Sequence, residues 1–159
     1  MPLAAIALGS NLAGEHGSRE AILEGAVNAL NALGTVKARS TWHETDPVGY
    51  AEQPRFLNGA VLLQTDLPPQ ELLRGLLRVE QRFGRDRTHG IANGPRTLDL
   101  DLLLYDDLIL EAPELVLPHP AMHTRSFVLA PLAEIAPDWI HPLLRTSVRD
   151  LFASVSCSA

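Results

Sequence analysis

Residues 98–105 read Leu98-Asp99-Leu100-Asp101-Leu102-Leu103-Leu104-Tyr105, and the first five alternate between apolar and acidic. Successive side chains of a strand point to opposite faces. The alternation therefore predicts a strand with Leu98, Leu100 and Leu102 in the core and Asp99 and Asp101 side by side on the other face. Just upstream, Arg85 to Pro95 carries Arg85, Arg87, two glycines and no apolar period, which predicts an exposed, mobile loop.

Before that loop, Pro68-Pro69 starts a helix, since proline is tolerated in a first helical turn. Leu72, Leu76, Val79 and Phe83 form its core stripe, and Gly84 closes it. Phe56 to Leu63 is apolar and dense enough for a central strand. It follows a loop at Asp46-Pro47-Val48-Gly49-Tyr50 and a β-prone stretch from Val36 to Thr45. An earlier helix is capped at Ser18, with Ile22, Ala26, Ala29, Leu30 and Leu33 at helical spacing and Gly34 at its end. Leu3 to Leu8 reads as a first buried strand turning at Gly9-Ser10-Asn11.

Downstream, Asp106-Asp107 makes a turn and Leu108 to Leu110 is a short apolar piece placed to pair back. Leu117-Pro118-His119-Pro120 reads as an extended loop. Thr124 or Ser126 caps a helix to about Ala136, with Pro131 expected near its first turn. A short strand at Trp139-Ile140 and a helix from Ser147 to Ala153 follow. The order strand, helix, strand, strand, helix, strand predicts an α+β, ferredoxin-like sandwich, an antiparallel sheet with helices packed on one face. Residues 1–159 are expected to form a single domain.

The 159 residues are 46% hydrophobic and 20% charged, near globular averages, with a formal net charge of −6. An acidic chain is poorly suited to wrapping nucleic acid, although a few placed arginines suffice for one nucleotide. A single cysteine, Cys157, allows no intrachain disulfide and no cysteine cluster for a metal. No apolar run approaches the roughly 20 residues of a membrane helix, and the short apolar start lacks a basic leader. A soluble, cytoplasmic protein is expected.

Two adjacent carboxylates repel each other unless a cation sits between them, and their oxygens suit Mg²⁺ that shares further oxygens from phosphates. Asp99 and Asp101 also fit a solvated strand face. Arg96, Arg85 and Arg87 beside them favour a phosphate clamp, because guanidinium grips phosphate in a two-pronged fork. His119 and Arg125 are further candidates for phosphate contact. Pro120 argues against one helix presenting His119 and His123 to a metal. Asn58 lies on a core strand, where a buried amide needs partners. It could bond nearby backbone or read the polar edge of a flat heterocycle, with Phe56 or Phe127 stacked on the ring. Glu80 borders the apolar stripe of its helix, placed to reach the loop, a ligand or solvent. Glycine-rich phosphate loops are absent, so side chains and metal must hold any nucleotide.

Taken together, Leu8-Gly9-Ser10-Asn11, Thr45 to Gly49, Gln53 to Asn58, Glu80 to Arg87, Gly94-Pro95-Arg96-Thr97-Leu98-Asp99-Leu100-Asp101 and Leu117 to Leu132 resemble the 6-hydroxymethyl-7,8-dihydropterin pyrophosphokinase family of folate biosynthesis. The resemblance implies a usually monomeric enzyme that uses ATP and two Mg²⁺ ions and releases AMP; no nucleic-acid or membrane partner is expected, from the acidic balance and the lack of a long apolar run. It implies Asp99 and Asp101 as metal ligands and Arg85 and Arg96 as catalytic-loop arginines. Glu80, Arg87, Arg96, His119 and Arg125 match ATP-site positions. Thr45, Val48, Phe56, Asn58 and Phe127 match the pterin pocket. Asn93 stands where many members carry tryptophan, Pro120 where many carry an aromatic residue, and Phe56 where some have tyrosine.

Overall fold

The computed structural model describes residues 2–11, 17–45, 55–84 and 98–157. Its elements are β1 (Leu3–Ser10), α1 (Arg19–Leu30), β2 (Thr35–Arg39), β3 (His43–Thr45), β4 (Phe56–Gln64), α2 (Pro69–Arg82) and β5 (Asp99–Tyr105). They continue with β6 (Leu110–Ala112), β7 (Leu115–Leu117), a 3₁₀ turn at Met122–Thr124, α3 (Ser126–Ile135) and α4 (Val148–Cys157). The main sheet has the order β2-β4-β1-β5, with β3 also paired to β4, and every pairing is antiparallel. This is the ferredoxin-like arrangement that the element order predicts.

Helices cover both faces of the sheet, not one. Ile6, Leu8, Val61, Leu63, Leu100 and Leu102 pack with residues of α1 and α2. Ala5, Ala7, Ala60, Leu62, Leu103 and Leu104 pack with residues of α3 and α4. The chain beyond the split βαβ core supplies this second layer. It is needed because the small alanines on that face would otherwise leave an apolar sheet surface in water.

The alternation in β5 holds through Leu102 and then breaks. Its register on β1 shifts between Ala5 and Ile6, so Leu103 and Leu104 both join the second core. One extra residue in a ladder puts two neighbours on one face.

Ser18 caps α1 as expected, its hydroxyl accepting from the Ala21 N–H at 3.1 Å. The helix ends at Leu30, before Gly34, because the Asn31 N–H turns back to the Ala29 and Asn28 carbonyls and tightens the chain. The stretch from Val36 to Thr45 is two strands. Between them Ser40 bonds Ala60 twice, its N–H donating to the Ala60 carbonyl and its hydroxyl accepting from the Ala60 N–H, both at 2.9 Å. The break lets the Trp42 ring lie over Gly59, where any β-carbon would overlap it. Leu108 and Ile109 do not pair back. The hairpin forms from Leu110–Ala112 and Leu115–Leu117, and Ile109 stays 52% exposed. Trp139-Ile140 gives a single bridge from Ile140 to Ser147.

Pro131 lies inside α3, past the first turn, and is buried. It cannot donate to the Phe127 carbonyl, so the helix forgoes one bond there. Packing of Val128, Leu129 and Leu132 into the second core outweighs that loss. Arg125 occupies the N-cap position without a side-chain cap. At α4 the Ser147 hydroxyl does cap, accepting from the Asp150 N–H at 3.1 Å.

His141 is buried, and its Nδ1 accepts from the Leu143 and Leu144 N–H groups. Burial, with His123 beside it, holds its pKa below the ordinary 6.5. His119 is likewise lowered, first by burial and then by Arg125. Both rings take up protons at lower pH in the folded chain than in the unfolded chain, which does so near pH 6.5. Their contribution is complete above that value and is lost as pH falls below it. The melting temperature should fall by a few degrees between about pH 7.5 and pH 5.5. His141→Asn, which keeps an acceptor for both N–H groups, should flatten part of that fall in thermal denaturation.

Candidate functional site

The register draws residues from four strands into one row, three of them polar. Gly9 of β1 faces Asn58 of β4 on one side and Asp99 of β5 on the other, and His43 of β3 faces Asn58. Directly opposed residues of antiparallel strands share a face. The row His43, Asn58, Gly9, Asp99 therefore lies on the α3 side of the sheet. Two residues along, Ala7 faces Ala60 and Asp101. Small residues between the amide and the two carboxylates leave a low floor.

Asn58 is buried, and its Nδ2 donates to Thr45 Oγ1 at 2.5 Å. Its buried amide thus has a side-chain partner, and Thr45 and Asn58 form one unit. A β-carbon at position 9 would lie 3.0 Å from Asn58 Oδ1 and 3.8 Å from the Phe56 ring. Gly9 is thus part of the site, because only its bare backbone leaves the amide room. Phe56 is half-buried at the start of β4.

Asp99 and Asp101 are half-buried while Leu98, Leu100 and Leu102 are buried. Glu80 is buried too, and does not sit at a solvated edge. Its Oε2 accepts from the Leu100 N–H at 2.7 Å. Among the described residues β5 pairs only with β1 in the main sheet, so this bond falls on its other edge. Farther along that edge the His119 N–H donates to the Leu103 carbonyl at 2.9 Å.

That bond places His119 beside the carboxylates. The Leu117-Pro118 peptide before it is cis. The ring's Nδ1 accepts from the Ala121 N–H at 3.1 Å, so the neutral ring carries its proton on Nε2. Asp99 partly offsets the lowering of the His119 pKa by burial and Arg125. The ring is therefore within electrostatic reach of both. The Arg125 guanidinium lies 5.9 Å from the Phe127 ring centroid, at the start of α3. Phe127 is half-buried against the second core.

Asn58, Thr45 and Phe56 thus gather at one end of the row and Asp99, Asp101 and His119 at the other, while Arg125 and Phe127 lie close to each other at the start of α3. Glu80 stands apart from the row, under the backbone of β5. Arg85, Arg87, Arg96, Val48 and Asn93 lie outside the described residues. Pro120 is exposed. Gly9 and His43 escaped the sequence reading as site residues. Only pairing between distant strands gives them their place, and no local period encodes that.

Among the described residues no group of three or more His, Cys, Asp or Glu could hold a metal ion. The two adjacent carboxylates fit an ion that takes its remaining oxygens from phosphate and water, as Mg²⁺ does. No described helix is long and apolar enough to cross a membrane.

Comparison with known proteins agrees with this geometry. The family described as 7,8-dihydro-6-hydroxymethylpterin-pyrophosphokinase matches residues 5–137. The 2-amino-4-hydroxy-6-hydroxymethyldihydropteridine pyrophosphokinase of Synechocystis is 45% identical over 139 residues, covering 86% of this chain and 70% of its own. That of Bacillus subtilis is 49% identical over 135 residues, covering 84% and 77%. A crystal structure of HPPK-DHPS in complex with substrates superposes with a TM-score of 0.76 at 16% identity, over 99% of this chain and 44% of that one. At that identity the superposition speaks for the fold alone. The sequence matches decide the assignment: this chain belongs to the 7,8-dihydro-6-hydroxymethylpterin-pyrophosphokinase family.

Proposed function

We propose that the chain moves the terminal pyrophosphoryl group of ATP onto the hydroxymethyl oxygen of 6-hydroxymethyl-7,8-dihydropterin and releases AMP. The observation that supports this most is the row of Asn58, Gly9 and Asp99. It sets an amide suited to a flat polar heterocycle beside carboxylates suited to a metal-bound polyphosphate.

The hydroxymethyl oxygen forms a bond to the β-phosphorus while the bond from that phosphorus to the α,β-bridging oxygen breaks. The bridging oxygen leaves with AMP, and the hydroxyl proton passes to the carboxylate pair. No protein nucleophile is required. Catalysis rests on alignment and on neutralising charge. Asp99 and Asp101 would hold two Mg²⁺ ions, which when bound supply positive charge against the phosphate oxygens. Asn58, braced by Thr45, reads the pterin edge, and Phe127 and Phe56 take its faces, with Val48 as a further wall. His119 donates from Nε2 and Arg125 from its guanidinium to phosphate oxygens. Arg85, Arg87 and Arg96 complete the phosphate clamp. Glu80 supports the ATP side by holding β5.

Stacking on one ring face supports affinity beyond the area it buries. Phe127→Ala should weaken 6-hydroxymethylpterin binding by about tenfold or more and leave nucleotide binding near its original value, as titration calorimetry would read. The reaction itself is tested with purified protein, Mg²⁺, ATP and 6-hydroxymethyl-7,8-dihydropterin, followed by chromatography of the nucleotides. Pterin-dependent AMP that disappears with chelator is the expected result. Release of free pyrophosphate instead would mark nucleotidyl transfer and overturn the proposal.

A further inference from the structure

Glu134 lies on α3 and has no role in the site described above. Both of its carboxylate oxygens are engaged by the segment that joins β2 to β3. The Thr41 N–H reaches them at 3.1 and 3.2 Å, and the Thr41 hydroxyl at 2.6 and 2.9 Å. His43 Nε2 lies 3.3 and 3.5 Å from the same two oxygens. Burial raises the Glu134 pKa, but the Thr41 hydroxyl and N–H and the nearby His43 outweigh it and hold the carboxyl below its ordinary value. The group is therefore ionised at neutral pH, which strengthens each bond.

The two ends of this contact both lead to the site. Phe127 precedes Glu134 by seven residues on the same helix, about two turns, so both lie on one side of α3. His43 stands in the polar row against Asn58, and Thr45, two residues on, accepts from the Asn58 amide. β3 is only three residues long and, among the described residues, pairs with β4 alone in the sheet. Its ladder fixes it within the plane of the sheet. Its height toward α3 is left to side-chain contacts.

We propose that Glu134 is a positioning residue: by tying Thr41 and His43 to α3, it sets the gap between the Thr45–Asn58 pair and the Phe127 ring. This inference rests on the pterin-pocket reading above. Supports behind a binding group hold it to the fraction of an ångström that stacking and edge recognition need. Removal of Glu134 frees β3 to shift away from α3, so the heterocycle loses either its ring or its amide. The carboxylates, on β5, are separated from β3 by both β4 and β1 and keep their place.

The test is calorimetric titration of 6-hydroxymethylpterin into protein saturated with Mg²⁺ and α,β-methylene-ATP, beside titration of that analogue alone. Glu134→Ala should weaken the pterin by about fivefold to tenfold and change the analogue by less than about twofold. Glu134→Gln should recover most of the loss, since its amide oxygen still accepts from Thr41. Phe127→Ala runs in parallel as the reference for the pocket. If Phe127→Ala weakens the pterin and Glu134→Ala does not, the positioning role is wrong and the pocket stands. If Glu134→Ala weakens both ligands alike and lowers the melting temperature, Glu134 is only structural and the proposal fails. If Phe127→Ala leaves the pterin unchanged, the pocket reading falls and this inference falls with it.

Discussion

Asp99→Ala and Asp101→Ala should each lower pterin-dependent AMP formation by about three orders of magnitude at saturating substrates, while the fold persists. The size follows from the work asked of the pair. Charge neutralisation at a transferring phosphoryl group is worth several kcal/mol, and each 1.36 kcal/mol is about tenfold in rate. The persistence of the fold follows from position. Both side chains are half-buried on the open part of the α3 face, while Leu98, Leu100 and Leu102 anchor the strand on the other side. Steady-state rates across a Mg²⁺ titration separate loss of metal from loss of structure. Asp101→Asn keeps the volume and removes the charge, so it should need more Mg²⁺ for half-maximal rate. Turnover within tenfold of the parent in both alanine variants would remove the pair from the chemistry.

Glu80→Ala carries the largest expected loss of stability. Glu80 is 1% exposed, and its carboxylate accepts from the Leu100 N–H at 2.7 Å. Alanine leaves a buried backbone donor without this acceptor, at about 1–3 kcal/mol, and removes packing besides. For a chain of this length the melting temperature should fall by roughly 5–10 °C. Leu100 lies between Asp99 and Asp101, so loosening its backbone also blurs the carboxylate pair, and turnover should fall with stability. Glu80→Gln retains an acceptor oxygen and should lose less than half as much of both. Differential scanning calorimetry with steady-state rates checks this. An alanine variant that melts like the parent would show that the bond is dispensable.

Local patterns told the sequence reading what they could. The alternation from Leu98 to Leu102, the Ser18 cap and the Pro68-Pro69 start each depend on neighbours in the chain, and each appears in the structure. The bulge at Leu103 and Leu104 was invisible because consecutive leucines carry no period. Propensity puts Pro131 in a first turn, and burial in the second core overrides it. The second helical layer was not foreseen because periodicity shows that a helix has an apolar side but not which sheet face receives it.

The site shows the same division. Residue type marked Asp99, Asp101, Asn58 and His119 as chemically capable. That Gly9 stands between Asn58 and Asp99 follows only from strands paired across about fifty and ninety residues of chain. Such register is set by the whole core. Glu80 was placed by its helical spacing at the margin of the stripe. Its partner on β5 belongs to tertiary structure.

The most direct test of the central claim follows the fate of the transferred phosphates. Protein, Mg²⁺ and 6-hydroxymethyl-7,8-dihydropterin are incubated with ATP labelled at the γ-phosphorus, and the products are separated. The account predicts label on the pterin in equal amount to unlabelled AMP, with little in free phosphate or pyrophosphate. Label released as free pyrophosphate, or an unlabelled pterin, would contradict it.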